Sequence, residues 1–186
     1  MTTYLSPPLP SSQFNRKANG LYTAEQRIRR DMSPWTLVQG ILAPVQFLVF
    51  LISLGLVLHS LVTGDWVEAA TLSIIVKTLI LYTIMVTGSL WEKDVFGVYL
   101  FAPAFFWEDA VSFVVIALHT AYLIALATHW LSERDQLLLA LAAYGTYLVN
   151  AIQFVWKLRS ARLQAAATLA TDHFESAMSE LAGSAQ

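Results

Sequence analysis

The chain has 186 residues, of which 56% are hydrophobic and only 13% are charged, and this balance favours an integral membrane protein over a soluble domain. It contains no cysteine, which excludes disulfides, iron–sulfur clusters and thiolate-ligated metals, so any metal ion would need His, carboxylate or amide ligands. The formal net charge of −2 conceals an uneven distribution of charge along the chain, and that distribution bears on topology.

The N-terminal region up to residue 20 is rich in Pro and Ser, and we predict a disordered tail over residues 1–20. A signal peptide is not expected, because the first long apolar run begins only after Ser33. Thr23, followed three residues later by Gln26, resembles a capping box and predicts a short basic helix up to Met32. For this helix we favour anchoring at lipid headgroups over a partner site.

Four apolar windows are each long enough to cross a bilayer as a helix. They run approximately over Trp35–Val62, Val67–Leu90, Phe105–His129 and Gln136–Trp156. Lys and Arg concentrate before the first window, between the second and third, and after the fourth, whereas only Arg134 lies on the opposite side. By the positive-inside rule both termini are cytoplasmic, and the predicted fold is an all-α, integral membrane, four-helix antiparallel bundle.

The segment after the fourth window, Leu158–Leu181, is rich in Ala and is predicted to continue as a helix until Gly183. We therefore expect a four-span membrane domain over residues 21–163, followed by a cytoplasmic helix or tail over residues 164–186.

Polar residues inside the predicted spans recur at helical spacing. Gln46 belongs to a stripe with a seven-residue repeat on the first span, and Asn150 and Gln153 lie three residues apart on the fourth. Interhelical hydrogen bonding is the ordinary role of such residues. Three amides at similar depth exceed what packing commonly needs, so both a packing role and a substrate-binding role stay open.

Two basic side chains share the expected bilayer midplane. Lys77 on the second span and His119 on the third reach a similar depth, and no acidic residue of the chain lies at that level. Lys77 is therefore neutral, bonded to polar groups of neighbouring helices, or free to pair with an external anion. A lone His in an apolar span is more often a packed residue than a ligand, but its coincidence with a cation favours a ligand cavity.

Trp107, Glu108 and Asp109 stand at the edge of an apolar stretch, since no Lys, Arg, Asp or Glu occurs between Ala110 and Ser132. A carboxyl at such an edge is a functional candidate, because its desolvation costs free energy unless a partner, water or ligand relieves it. It is also a suitable proton donor. Glu108 shares one helical face with His119, eleven residues further on.

These residues together predict a cavity that opens towards the cytoplasm. Its expected lining is Gln46, Lys77, Glu108, His119, Asn150 and Gln153. Aromatic residues crowd its mouth, although an interfacial aromatic belt explains most of them without any ligand. The expected guest is flat, apolar and anionic.

Three stretches resemble the 3-vinyl bacteriochlorophyllide hydratase family of bacteriochlorophyll biosynthesis. They are SPWTLVQGILAPVQFLVF from Ser33, KTLILYTIMVTGSLWEKDVFG from Lys77 and LFAPAFFWEDAVSFVVIALHTAY from Leu100. The similarity runs from about Leu21 to Leu163. It implies hydration of the C3 vinyl group of a magnesium chlorin, chlorophyllide a or its bacteriochlorin relative, to a 1-hydroxyethyl group. No cofactor is implied, because the magnesium belongs to the substrate.

Such a hydration needs an acid that protonates the terminal vinyl carbon and a base that takes a proton from the attacking water. Glu108 is the preferred acid, with Asp109 or Glu92 as the base, because nearby carboxyl groups tend to differ in protonation. His119 is a possible axial ligand of the substrate magnesium, and no metal site of the protein itself is expected. Lys77 is expected to bind the ring propionate, with Gln46, Asn150, Gln153 and Trp107 as further substrate contacts.

The expected partners are the tetrapyrrole substrate and membrane lipid, with no nucleic acid, and the chain is open to self-association or to contact with other bacteriochlorophyll biosynthesis enzymes. The expected location is the bacterial inner or intracytoplasmic membrane, crossed several times. The alternative function is a non-catalytic chlorin- or quinone-binding carrier or assembly factor. Glu108 and Asp109 discriminate between the two, since a carrier needs no carboxyl group at the reactive edge.

Overall fold

A computed structural model describes residues 21–184, and in this range all regular secondary structure is helical. The helices are α1 (Ala24–Met32), α2 (Pro34–Thr63), α3 (Val67–Phe96), α4 (Phe106–Thr128) and α5 (Glu133–Ser184). Four segments are long and apolar enough to cross a membrane, namely α2, α3, α4 and the Glu133–Leu163 part of α5. These segments confirm the four predicted spans. The tail predicted over residues 1–20 lies outside the described residues.

The helix ends follow from local sequence. The predicted capping box is confirmed, because the Gln26 N–H donates to Thr23 Oγ1 (3.2 Å) and the Thr23 N–H donates to Gln26 Oε1 (2.9 Å). Helices α2 and α3 both end at a glycine in the left-handed conformation, Gly64 (φ 78°) and Gly97 (φ 83°). Glycine reaches this conformation without the steric penalty of a Cβ atom, so each helix stops where the sequence provides one.

The long helices pack as two close pairs, α2 with α3 and α4 with α5. Hydrogen bonds between α2 and α3, or the residues at their ends, join Ser33 to Asp94 (2.8 Å), Gln39 to Thr87 (2.7 Å) and Ser53 to Ser73 (2.7 Å). Contacts between α2 and α5 join Ser53 to Tyr144 (2.5 Å between hydroxyl oxygens) and Phe50 to Tyr147 (4.9 Å between ring centroids). The Ser53 hydroxyl therefore links three helices.

The interior and the surface have the polarity expected of a protein surrounded by lipid. Apolar side chains cover the outer faces of the four spans, for example Leu48, Leu79, Val114 and Ile152. Buried positions instead include Gln, Lys, Glu, Asp, His and Asn side chains. Because hydrocarbon offers these polar groups no hydrogen bonds, they must find partners within the bundle.

Helix α5 has 52 residues and continues without a break from the fourth apolar window to Ser184. At a rise of about 1.5 Å per residue it is about 78 Å long, more than twice the thickness of a bilayer core of about 30 Å. Its C-terminal part therefore extends well beyond the apolar segment.

Helix α1 lies against the end of α3 through Tyr22, which precedes it. The Tyr22 ring is buried, stacks on Phe96 with 5.8 Å between ring centroids, and lies 5.0 Å below the Arg30 guanidinium. Burial raises the pKa of the Tyr22 hydroxyl above its usual 10.0, although the nearby Arg30 opposes this shift. The phenol is therefore held neutral in the folded protein.

We expect the docking of α1 to weaken above about pH 10. A raised pKa in the folded state means that the unfolded state loses its Tyr22 proton first, so the free energy of unfolding falls as pH rises through this range. Thermal unfolding measured between pH 9 and pH 11 should show this fall, and Tyr22→Phe should reduce it. An equal pH dependence in both proteins would contradict the prediction.

Candidate active site

Two carboxyl groups lie side by side where α3 ends and α4 begins. Glu92 and Asp109 are both buried, and their carboxyl groups accept hydrogen bonds from two residues that are adjacent in the loop between these helices. The backbone N–H of Ala102 donates to Glu92 (3.1 Å), and that of Phe101 donates to Asp109 (2.7 Å). Two ionised carboxylates this close together in a buried site repel each other, so the pair favours keeping one proton. This pair can therefore hold a proton and release it.

The loop between α3 and α4 positions the pair by an unusual backbone conformation. Phe101 has φ 59°, a left-handed value that is sterically costly for a bulky residue. Its N–H bond to Asp109 and the stacking of its ring on Phe113, with 5.4 Å between centroids, offset this cost. The loop thus directs two backbone donors at the carboxyl pair.

Glu108 is held by an ion pair with α5. Its carboxylate is 2.5 Å from the Lys157 ammonium, which also lies 4.9 Å from the centroid of the Phe105 ring. Glu108 and Asp109 are adjacent and both buried, but they point to different partners because neighbouring helical residues are about 100° apart. Glu108 is therefore part of a charge pair, whereas Asp109 is part of the carboxyl pair.

Further along the interior lies a group of amides. The Asn150 amide donates to Ser112 Oγ (2.8 Å), which joins α5 to α4. The amide oxygens of Gln46, Asn150 and Gln153 are buried and have no hydrogen-bond partner among the described residues. Each buried acceptor without a donor costs free energy, so this region differs from ordinary interhelical packing.

Lys77 and His119 contact each other directly. Their side-chain nitrogens, Lys77 Nζ and His119 Nε2, are 2.6 Å apart, and both residues are completely buried. His119 Nδ1 lies 2.7 Å from the Val115 carbonyl oxygen, so Nδ1 carries the proton and Nε2 accepts from Lys77. The aromatic rings of Phe50, Tyr144 and Tyr147 surround the Lys77 ammonium at 5.9, 4.8 and 4.2 Å.

This contact bears on two predicted roles. His119 can ligate a magnesium ion through Nε2 only after Lys77 moves away, and Lys77 can reach a propionate only after the pair opens. Both roles stay predictions. Of the three states considered for Lys77, the geometry is that of bonding to polar groups of a neighbouring helix.

An exposed aromatic patch adjoins the carboxyl pair. It consists of Tyr99, Phe101, Phe106 and Trp107, the last with 71% of its surface exposed. The rings of the last three contact one another, with 5.5 Å between the centroids of Phe101 and Phe106 and 5.5 Å between those of Phe106 and Trp107. This aromatic patch offers a flat apolar molecule a docking surface directly beside the backbone that contacts Asp109.

The predicted cavity does not coincide with a groove that the structure shows on the surface of the bundle. An apolar groove of about 370 Å³ lies between α2 and α3 and is lined by Val49, Ile52, Leu56, Ala69, Leu72, Ser73 and Val76. None of the predicted site residues lines it. Those residues are instead packed in the interior, apart from Trp107 on the surface and the partly exposed Gln153.

The structure brings the predicted site residues together in three groups, and not in the single group expected. The carboxyl pair and the Glu108–Lys157 ion pair lie at one end, the amides lie in the middle, and Lys77 with His119 lies beyond them. Sequence reasoning missed Lys157 as the partner of Glu108, although its place on the stripe of Asn150 and Gln153 was a usable signal. It also missed the Phe101 N–H, because no side-chain pattern reports a backbone donor.

The fold and these contacts define a multi-pass helical membrane protein with a buried, carboxyl-based site suited to proton transfer. The class alone does not identify a substrate.

Comparison with known proteins identifies the family. Residues 22–160 match the family described as 2-vinyl bacteriochlorophyllide hydratase (BCHF). A protein of that name from Rhodobacter capsulatus is 65% identical over 158 residues, covering 85% of this chain and 92% of its own length. Another from Cereibacter sphaeroides is 64% identical over 162 residues, covering 86% and 96%. No solved structure matches the chain.

The chain belongs to the 2-vinyl bacteriochlorophyllide hydratase family, as the resemblance predicted. It is therefore an enzyme, a hydro-lyase. The numbers 2 and 3 for the vinyl group come from two numbering systems of the same macrocycle, so the two family names describe one substituent.

Proposed function

We propose that this protein adds water to the C3 vinyl group of chlorophyllide a, or of its bacteriochlorin relative, and forms a 1-hydroxyethyl group in bacteriochlorophyll biosynthesis. Family membership supports the reaction class. The observation that carries the chemistry is the placement of Glu92 and Asp109 on adjacent N–H groups of one loop, because a carboxyl pair that holds one proton provides both an acid and a base.

The proposed reaction has two steps. The proton of the Glu92–Asp109 pair moves to the terminal vinyl carbon, which becomes a methyl group and leaves a cation delocalised into the macrocycle. A water oxygen then bonds to the inner carbon, and a proton of that water returns to the carboxylate. The pair is restored, and the net change is the addition of one water molecule.

The geometry gives Glu108 a different role from the predicted acid. Its carboxylate would have to leave Lys157 before it could carry a transferable proton, whereas Asp109 already lies in a carboxyl pair. We therefore assign the proton to the pair and propose that Glu108 and Lys157 hold α4 and α5 together beside it. The earlier assignment of Glu108 as the acid is a distinct prediction, and the two are separable by mutation.

The aromatic patch is the proposed docking surface for the macrocycle. Its exposed rings include Trp107, a predicted substrate contact, and Phe101, whose backbone N–H reaches Asp109. A ring docked there has an edge close to the carboxyl pair. Binding of the propionate by Lys77 and ligation of magnesium by His119 require the substrate to open the contact between these two residues.

We further propose an antiparallel bundle with both termini in the cytoplasm, located in the bacterial inner membrane. Along the bonded pairs between α2 and α3, residue numbers rise on one helix and fall on the other, which supports the antiparallel order. The distribution of Lys and Arg supports the orientation.

Turnover of pigment tests the proposed function. Membranes that contain the protein should convert added chlorophyllide a into a product heavier by one water, detected by mass spectrometry after pigment extraction. Membranes of the same cells without the protein provide the control. Binding of the pigment without any change in mass would instead support the non-catalytic carrier.

A further inference from the structure

Within the described part of the chain, three buried amide oxygens have no hydrogen-bond donor, and their surroundings suggest what they bind. Gln46 is 2% exposed and Asn150 is 8% exposed, so neither oxygen is satisfied by bulk water. Asn150 donates one amide N–H to Ser112, and its amide oxygen is the atom without a partner among the described residues. The missing partner must therefore be a hydrogen-bond donor.

The contacts between helices place Gln46 and Asn150 at one level. Contacts pair Ser53 with Tyr144 and Phe50 with Tyr147. Gln46 lies about one turn before Phe50 on α2, and Asn150 lies about one turn after Tyr147 on α5. Because α2 and α5 run in opposite directions along these contacts, Gln46 and Asn150 are level with each other. Gln153, three residues after Asn150, lies on the same face of α5.

The amides lie about one helical turn from the proton source. Ser112, the partner of Asn150, comes three residues after Asp109, a rise of about 4.5 Å along α4. A vinyl group placed between the two levels has one carbon near the carboxyl pair and the other near the amides.

The proposed substrate offers few donors to this group of acceptors. Its ring nitrogens are bound to magnesium, and its keto, ester and carboxylate oxygens are acceptors. Water is the reactant that donates two hydrogen bonds, and acceptors that bind its hydrogens leave its oxygen lone pairs free for attack.

We propose that the amide oxygens of Gln46, Asn150 and Gln153 form the binding site for the water molecule that is added to the vinyl group, which donates its two hydrogens to two of the three at a time. This proposal rests on the proposed hydration. It separates two tasks: the carboxyl pair protonates the substrate, and the amides hold the nucleophile for the second step.

Deuterium exchange distinguishes the two tasks. In D₂O the carboxyl pair delivers a deuteron to the terminal carbon, and if the cation loses a proton instead of capturing water, the recovered vinyl substrate contains deuterium. Gln46→Leu and Asn150→Leu should lower the rate of hydration about tenfold or more, the effect of losing one well-placed hydrogen bond to a reactant. Exchange into recovered chlorophyllide a should continue, so the ratio of exchange to hydration should rise.

Gln39→Leu is the matched control, because Gln39 lies on the same helix seven residues earlier and its amide is already bonded to Thr87 (2.7 Å). It should leave the ratio unchanged. A parallel loss of exchange and hydration in both Leu variants would overturn the proposal and indicate a packing role for the amides. Unchanged hydration in both variants would also overturn the proposal. If one Leu variant does not accumulate in the membrane, the other and Gln153→Leu decide the question.

The test also separates this proposal from the proposed function. Wild-type protein that produces neither hydrated pigment nor exchange would contradict the proposed hydration itself. Wild-type hydration with an unchanged ratio in the variants would contradict only the water site.

Discussion

Asp109→Asn should lower hydration of chlorophyllide a by about two to four orders of magnitude, the range of a lost general acid. The replacement preserves the local contacts, because the Asn carbonyl can still accept the Phe101 N–H and the Asn amide can donate to Glu92. It removes the proton that the pair can transfer. Rates are measured from the hydrated product in membranes with equal amounts of protein, and pigment binding should be retained.

The companion variants decide between the two assignments of the acid. Glu92→Gln should produce a loss similar to that of Asp109→Asn, whereas Glu108→Gln should cost less activity and mainly weaken the contact with Lys157. Asp135→Asn is the control, since this exposed carboxylate bonds to Ser132 at the start of α5. Near-normal turnover by Asp109→Asn, together with loss in Glu108→Gln, would return the acid role to Glu108.

The second large effect is expected at Lys77 and His119. His119→Leu removes the bonding partner of a completely buried amine, and Lys77→Met leaves Nε2 of His119 without a donor. Each single change should destabilise the protein by about 1 to 3 kcal/mol, the usual cost of an orphaned buried polar group. The double variant should lose less than the sum of the two, because it removes both groups together. Thermal unfolding of the detergent-solubilised protein measures all three.

The same variants test the predicted substrate contacts. If Lys77 binds the propionate, Lys77→Met weakens binding of chlorophyllide a but leaves binding of its propionate methyl ester little changed. Equal losses of binding for the acid and the ester would contradict a contact between Lys77 and the propionate. Additive stability effects in the double variant would contradict the contact between Lys77 and His119. A pigment spectrum unchanged by His119→Leu would count against axial ligation of magnesium.

The spans and the N-terminal helix were predictable because their signals are local. Hydropathy over about 20 residues defines a span, and the capping box needs only Thr23 and Gln26. The burial of Glu92, Asp109 and His119 inside the bundle follows from the cost of polar groups in lipid, so their selection as site residues needed no structure.

The pairing of these residues was not predictable, because it depends on helix rotation and on one loop. Adjacent Glu108 and Asp109 are equivalent in sequence, and only the packing of α5 assigns Lys157 to the first. The conformation of Phe101, which directs an N–H at Asp109, follows from neither hydropathy nor composition. Lys77 meets His119 because α3 and α4 come together at that depth.

The division into two helix pairs has a consequence for biogenesis. The members of each pair are neighbours in the chain, so α2 with α3, and α4 with α5, can associate as soon as they are inserted into the membrane. The proposed site takes Gln46 and Glu92 from the first pair and Asp109 and Asn150 from the second, so its residues come together only after the pairs have joined. A pigment that binds across this junction favours the joined state by mass action. In a cell that is short of pigment, the final assembly step of this enzyme would proceed without that assistance.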